Sequence, residues 1–139
     1  MTDFIPGIRN TVRALIWRDE HILLAKKSGY ADGERLVLPG GGQELGESLD
    51  QALIRECREE IGADVIIGEL MHVAEFHKPR ETIPPTIRHQ VEFLFACSVP
   101  DDYVAMNGPR PDRHQVDVIW IPRSALRDHP VYPQALVQY

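Results

Sequence analysis

The chain has 139 residues, of which 43% are hydrophobic and 26% charged, and its formal net charge is −6. That size and mixture predict one globular domain over residues 1–139 with enough apolar side chains for a real core. A net acidic chain excludes broad nucleic-acid binding, which needs a basic face, and no run of 18 apolar residues is present to cross a membrane as a helix.

In chain order, residues 10–18 (NTVRALIWR) and 21–26 (HILLAK) read as two strands joined by a turn at Asp19-Glu20. Tyr30 follows in a loop, placed either to stack on a base or, as tyrosines more often do, to support structure or face solvent. Residues 35–38 (RLVL) predict a short strand leading into Gly40-Gly41-Gly42. This run is no Gly-x-Gly-x-x-Gly, because Leu45 takes the last place, and no Gly-Lys-Ser/Thr follows. The glycines are expected to turn the backbone tightly and bring a main-chain carbonyl toward a metal, although an ordinary strand-to-helix loop needs them as well. A helix is predicted over 49–61. Ser48 and Gln51 fit a capping box, Asp50 suits the first turn, and Leu49, Leu53, Cys57 and Ile61 recur every four residues. Gly62 stands where a left-handed terminating residue is expected.

Three carboxylates crowd this helix: Glu56, Glu59 and Glu60. At 100° per residue, Glu56 and Glu60 project about 40° apart and Glu59 about 60° from Glu56. Leu49 and Leu53 point nearly the same way, so the acidic ridge overlaps the edge of the inward face. Glu56 and Glu60 are a like-charge pair four apart, near the negative end of the helix dipole. A hard divalent cation such as Mg²⁺, which takes oxygen ligands and shares substrate phosphates, removes both objections. The competing reading is a solvated acidic face.

Beyond the helix, residues 64–76 read as extended chain broken near Gly68. Residues 77–89 (HKPRETIPPTIRH) carry Lys78, Arg80 and Arg88 among three prolines, as a cationic flap over phosphates or as a solvated hairpin loop. Residues 87–99 form the clearest strand, with Val91, Phe93 and Phe95 on one face and Gln90, Glu92 and Leu94 on the other. Residues 100–115 are a long turn-rich connection, of the kind that is often functional or mobile. Residues 116–121 alternate as a strand ended by Pro122; Ser124 is placed to cap a short helix, and a last helical segment is expected after Pro133. No pair of the six histidines has metal-ligand spacing. Cys57 and Cys97 lie in apolar-patterned segments and are expected as reduced core thiols; with no apolar signal core at the N-terminus, the expected location is cytoplasmic.

The ordered run from Gly41 through Glu47 to Arg55-Glu56-Cys57-Arg58-Glu59-Glu60-Ile61-Gly62-Ala63 resembles the Nudix box. All seven fixed positions match: Gly41, Glu47, Arg55, Glu56, Glu59, Glu60 and Gly62. The resemblance implies an α/β fold, an α/β/α sandwich with a mixed β-sheet. It also implies Mg²⁺-dependent hydrolysis of the diphosphate linkage in a nucleoside diphosphate joined to a group X, with Mn²⁺ as a substitute cation. Glu56, Glu59 and Glu60 would hold the metal together with the Gly41 loop, Glu56 would be the first candidate for the base, and Arg55 would orient a glutamate with Glu47 as counter-ion. Asp112 and Asp117 are the acids available near the 100–115 connection. The short chain resembles the branch that cleaves nucleoside triphosphates, oxidised ones included. Pro79, 16 residues past the box, is reminiscent of the ADP-ribose branch. Nucleotide-sugar or dinucleoside polyphosphate substrates, a sensor that binds without cleaving, and a homodimer all remain open.

Overall fold

The computed structural model describes residues 2–31, 33–129 and 131–133. Eight strands run as β1 (Asp3–Arg18), β2 (His21–Tyr30), β3 (Gly33–Val37), β4 (Gly40–Gly42), β5 (Ile66–Arg80), β6 (Thr86–Ser98), β7 (Gln115–Pro122) and β8 (Val131–Tyr132). Among the described residues one α-helix, α1 (Leu49–Ile61), follows β4, and a 3₁₀ turn (Arg123–Asp128) follows β7. The strands form one curled mixed sheet of order β5-β6-β1-β2-β3-β8, with β4 added to β1 and β7 to β2. β1 lies parallel to β6 and antiparallel to β2 and β4, so it joins the two halves of the sheet.

Alternation along β1 explains both faces. Val12, Ala14 and Ile16 meet Leu23 and the α1 residues Ala52, Leu53, Cys57 and Ile61 in one buried cluster. Leu15 joins Ile22, Leu24, Leu36, Leu38 and Leu94 in the other, closed by Leu126 of the 3₁₀ turn and by Val131. The layers are therefore a helix, a mixed sheet and a 3₁₀ turn, an α/β arrangement.

The helix has its expected bounds. Ser48 accepts from the Gln51 amide while the Gln51 side chain accepts from the Ser48 amide, and Gly62 ends the helix at φ 64°. The β1–β2 hairpin closes through Asp19 and Glu20, both at positive φ (49° and 62°), which matches the twist that a two-residue turn requires.

Four expectations change. β1 begins seven residues early, because Asp3, Phe4 and Ile8 pair with β6 across an irregularity between Phe4 and Ile8. Residues 77–80 and 86–89 are not loop: they pair as strand, Lys78 with Arg88 and Arg80 with Thr86, which leaves only 81–85 as the connection. The glycine run is not a turn but the strand β4 on β1, so the reversal toward α1 comes later. Ser124 does not cap; Pro122 occupies that position without a side-chain bond. The helical segment expected after Pro133 lies at 134–139, outside the described residues. Cys57 and Cys97 are free thiols, and no helix among the described residues is long and apolar enough to cross a membrane.

Candidate active site

The three glycines of β4 let the carboxylates of α1 come down onto the backbone. A Cβ on Gly41 would lie 2.5 Å from the carboxyl carbon of Glu56. The Gly40 amide donates to Glu60 Oε1 at 2.9 Å. Glycine is used here for close approach rather than for a turn. Because the clash at Gly41 is with the end of a flexible side chain, Gly41→Ala is expected to fold normally and to displace Glu56. Turnover should fall by about tenfold to a hundredfold with little change in unfolding midpoint, since small misplacements of reacting groups are costly. Parallel rate and denaturation measurements check it, and parent-like rates would contradict it.

Arg55 ties the site together. Its Nε and one terminal nitrogen donate to the two oxygens of Glu47 at 2.7 and 2.9 Å. That nitrogen also donates to Gly42 O at 3.0 Å, and the other reaches Glu56 Oε1 at 3.0 Å and Glu59 Oε2 at 3.5 Å. This two-point bond holds Glu47 down at about 2, a charge-assisted effect, and raises the guanidinium further above its ordinary value. Burial pushes Glu56 up despite Arg55. Burial likewise pushes Glu60 up to about 7, against Lys27 and the Gly40 amide. Glu60 Oε2 is buried with no hydrogen-bond partner among the described residues. A buried, partnerless carboxylate oxygen beside a second carboxylate is a donor suited to a hard cation. Among the described residues, no three His, Cys, Asp or Glu side chains already converge on one metal position. Glu59 is the least gathered, turned toward Arg55 at the rim.

The Glu60 shift has a consequence for the protein free of divalent cations. The folded value (about 7) exceeds the ordinary 4.5, so the folded state binds this proton more tightly. Its stabilisation is complete below about pH 4.5 and is lost as pH rises through about 7, up to roughly 3 kcal/mol. Urea unfolding in EDTA at pH 5 and pH 8 should show that loss in the parent and not in Glu60→Gln. Equal pH dependence in both would refute it.

The 100–115 connection is not a spare loop. It satisfies carbonyls that a helix end leaves open. Tyr103 donates to Ile61 O at 2.6 Å, the Gly108 amide to Glu60 O at 2.8 Å, and the Arg110 amide to Glu59 O at 2.8 Å. Gln115 Nε2 adds a second donor to Glu60 O at 2.8 Å. These bonds fix the end of α1 that bears Glu59 and Glu60.

Asp112 pairs with Lys27 at 2.5 Å, and Asp117 accepts from the Val118 amide. Sequence reading passed over Arg9, Arg13, Lys27, Arg35 and Glu92. Alternation along β1 places Arg9, Thr11 and Arg13 on one face, beside Gln90 and Glu92 of β6. Glu92 is buried, holds Arg13 at 2.9 Å, and accepts from the Thr11 hydroxyl at 3.4 Å. Tyr30 does not face solvent alone: Arg35 stacks 3.8 Å from its ring centroid and His114 lies 4.8 Å away. An open cleft of about 500 Å³, lined by Arg9, Gly42, Gln43, Glu44, Glu56 and Arg88 among others, gives Glu56 access to solvent.

A family model described as the NUDIX domain matches residues 7–138. The CTP pyrophosphohydrolase of Escherichia coli (strain K12) is 34% identical over 123 residues, 88% of this chain and 82% of that protein. YjhB of Bacillus subtilis (strain 168), provisionally named an ADP-ribose pyrophosphatase, is 32% identical over 96 residues; the match spans 69% of this chain and only 44% of that protein. A NUDIX hydrolase from Nitrosomonas europaea shares the fold with a TM-score of 0.70 at 23% identity, covering 95% of this chain and 85% of that one.

Proposed function

This chain belongs to the NUDIX family, and from that premise we propose that it is a divalent-cation-dependent hydrolase of phosphoric anhydride bonds in nucleoside diphosphates linked to a group X. One observation carries the reading: Glu56 and Glu60 are laid against a strand of three glycines, with Arg55 holding the ridge from Glu47. The residues that would hold Mg²⁺, or Mn²⁺ in its place, are Glu56, Glu59 and Glu60, next to the backbone at Gly41. When bound, the cation would neutralise diphosphate charge and lower the pKa of a coordinated water.

The chain's own groups divide the remaining work. Glu56, raised by burial and open to the larger cleft, is the proposed proton acceptor for the attacking water. Arg55 is a positioning residue, since its guanidinium spans Glu47, Glu56, Glu59 and Gly42 O and fixes where the carboxylates point. Gly41 leaves the room that Glu56 occupies. Arg9 and Arg88 line the same cleft and would meet the anionic substrate.

Nucleoside triphosphates, oxidised forms included, are the proposed substrates. Similarity to a CTP pyrophosphohydrolase over most of that protein's length supports them. ADP-ribose is the second reading, on the YjhB similarity. Product analysis on oxidised dGTP, CTP, ATP, ADP-ribose and diadenosine polyphosphates, with Mg²⁺ and with EDTA, tests both. A monophosphate product formed only with Mg²⁺ is expected. Tight ligand binding in Mg²⁺ without cleavage would replace the hydrolase by a nucleotide sensor.

A further inference from the structure

β5 ends the sheet: β6 pairs with one side of it, and among the described residues no strand pairs with the other. Such an edge carries a row of amides and carbonyls that another strand can extend. Chains blunt their edges with bulges, lysines and prolines, and here those devices stand toward the two ends of the strand. The register with β6 slips on either side of Leu70, between Ile67 and His72. Lys78-Pro79 occupy the far end. From His72 to Arg80 the register is unbroken over nine residues. Within that stretch Val73 is 49% exposed, and Glu75 and His77 are exposed as well. All three lie on one face, since side chains alternate along a strand.

Phe76 is the midpoint of the regular stretch. Two copies laid edge to edge and antiparallel are related by a two-fold axis perpendicular to the sheet, so each residue meets one from the same face. An axis through Phe76 sets Glu75 opposite His77 of the other copy, and does so twice. It also sets Val73 opposite Pro79 and Ala74 opposite Lys78, and Arg80 meets His72 only at the ends. An axis through Glu75 would oppose two glutamates, which destabilises a pair of strands. An axis through His77 would oppose two imidazoles and leave Glu75 facing Pro79. Axes through Val73 or Ala74 would draw in the slipped register around Leu70. We propose that this edge of β5 docks a second copy of the chain, antiparallel and centred on Phe76, so that one sheet continues into the next. The docking is independent of the hydrolysis proposed above. Nine residues a side is fewer than the roughly 20–30 of a standard interface. The dimer is therefore reversible, with a dissociation constant of about micromolar order.

Sedimentation velocity of the whole chain over a concentration series tests this. The parent is expected to pass from monomer to dimer. Glu75→Lys opposes lysine to His77, and His77→Glu opposes glutamate to Glu75. Each should weaken the dimer by about tenfold or more, because the contact occurs twice across the axis. The double variant Glu75→Lys/His77→Glu reverses the pair and should return the dissociation constant to within about threefold of the parent's. Both side chains are exposed, so the variants are expected to fold. Recovery in the double variant also separates lost complementarity from lost structure. In the parent, amides of residues 73–78 should exchange with deuterium more slowly as concentration rises. A parent that stays monomeric up to about millimolar concentration would overturn the proposal. So would a dimer indifferent to both single changes, or one weakened by each and not recovered by the pair.

Discussion

Glu56→Gln is expected to lower turnover of the best nucleotide substrate by about a thousandfold, within the usual range for removing a general base, while the unfolding midpoint stays close to the parent's. Glutamine keeps the shape of the side chain and can still accept from Arg55 through its amide oxygen, so the bond at 3.0 Å survives. It removes the proton acceptor and one charge from the ridge. The side chain lies over Gly41, not in the apolar cluster of Leu53, Cys57 and Ile61, so core packing is untouched. Initial rates with saturating Mg²⁺, together with thermal unfolding, measure the two effects separately. A rate within about tenfold of the parent would remove Glu56 from the role of base.

Gly40→Ala is expected to do the reverse and destroy the fold. Gly40 sits at φ 146°, and an added Cβ would lie 1.8 Å from the Val12 carbonyl oxygen. That neighbour is backbone of β1, in the centre of the sheet, and it cannot swing aside. Relieving the overlap would break the β1–β4 pairing and with it the Gly40 amide bond to Glu60. A loss of more than about 4 kcal/mol is expected, enough to leave a domain of this size largely unfolded. Urea denaturation, or failure to recover folded protein, reads it. Stability within about 1 kcal/mol of the parent would show that β4 is held differently. The contrast with Gly41→Ala is informative, because adjacent glycines then separate fold from activity.

The helix and its acidic ridge were legible because capping, period and charge placement are local. Ser48, Gln51 and Gly62 act within a few residues of where they stand. The hairpin at Asp19-Glu20 and the strands from 87 and 116 were legible for the same reason. What sequence could not supply was pairing over long separations. Lys78 and Arg88 read as loop charges because prolines surround them, yet ladder bonds between β5 and β6 carry both as strand. The cleft that Arg9, Arg13, Lys27, Arg35, Lys78 and Arg80 line gathers residues from β1, β2, β3 and β5, and no window of the sequence holds more than a few of them. A faint signal was present in the alternation Arg9, Thr11, Arg13, which reads as a polar face on an otherwise apolar strand. Arg55 and Glu47 were paired by motif, and the two-point geometry shows how eight residues of separation close across the loop.

The α1 carboxylates are proposed to gather a divalent cation over the glycine strand. Mn²⁺ titration followed by electron paramagnetic resonance, on the parent and on Glu60→Gln, tests it most directly and needs no substrate. Mn²⁺ is expected to bind the parent, with an affinity lower by about tenfold or more in the variant. Equal Mn²⁺ affinity in the two proteins would place the cation away from Glu60.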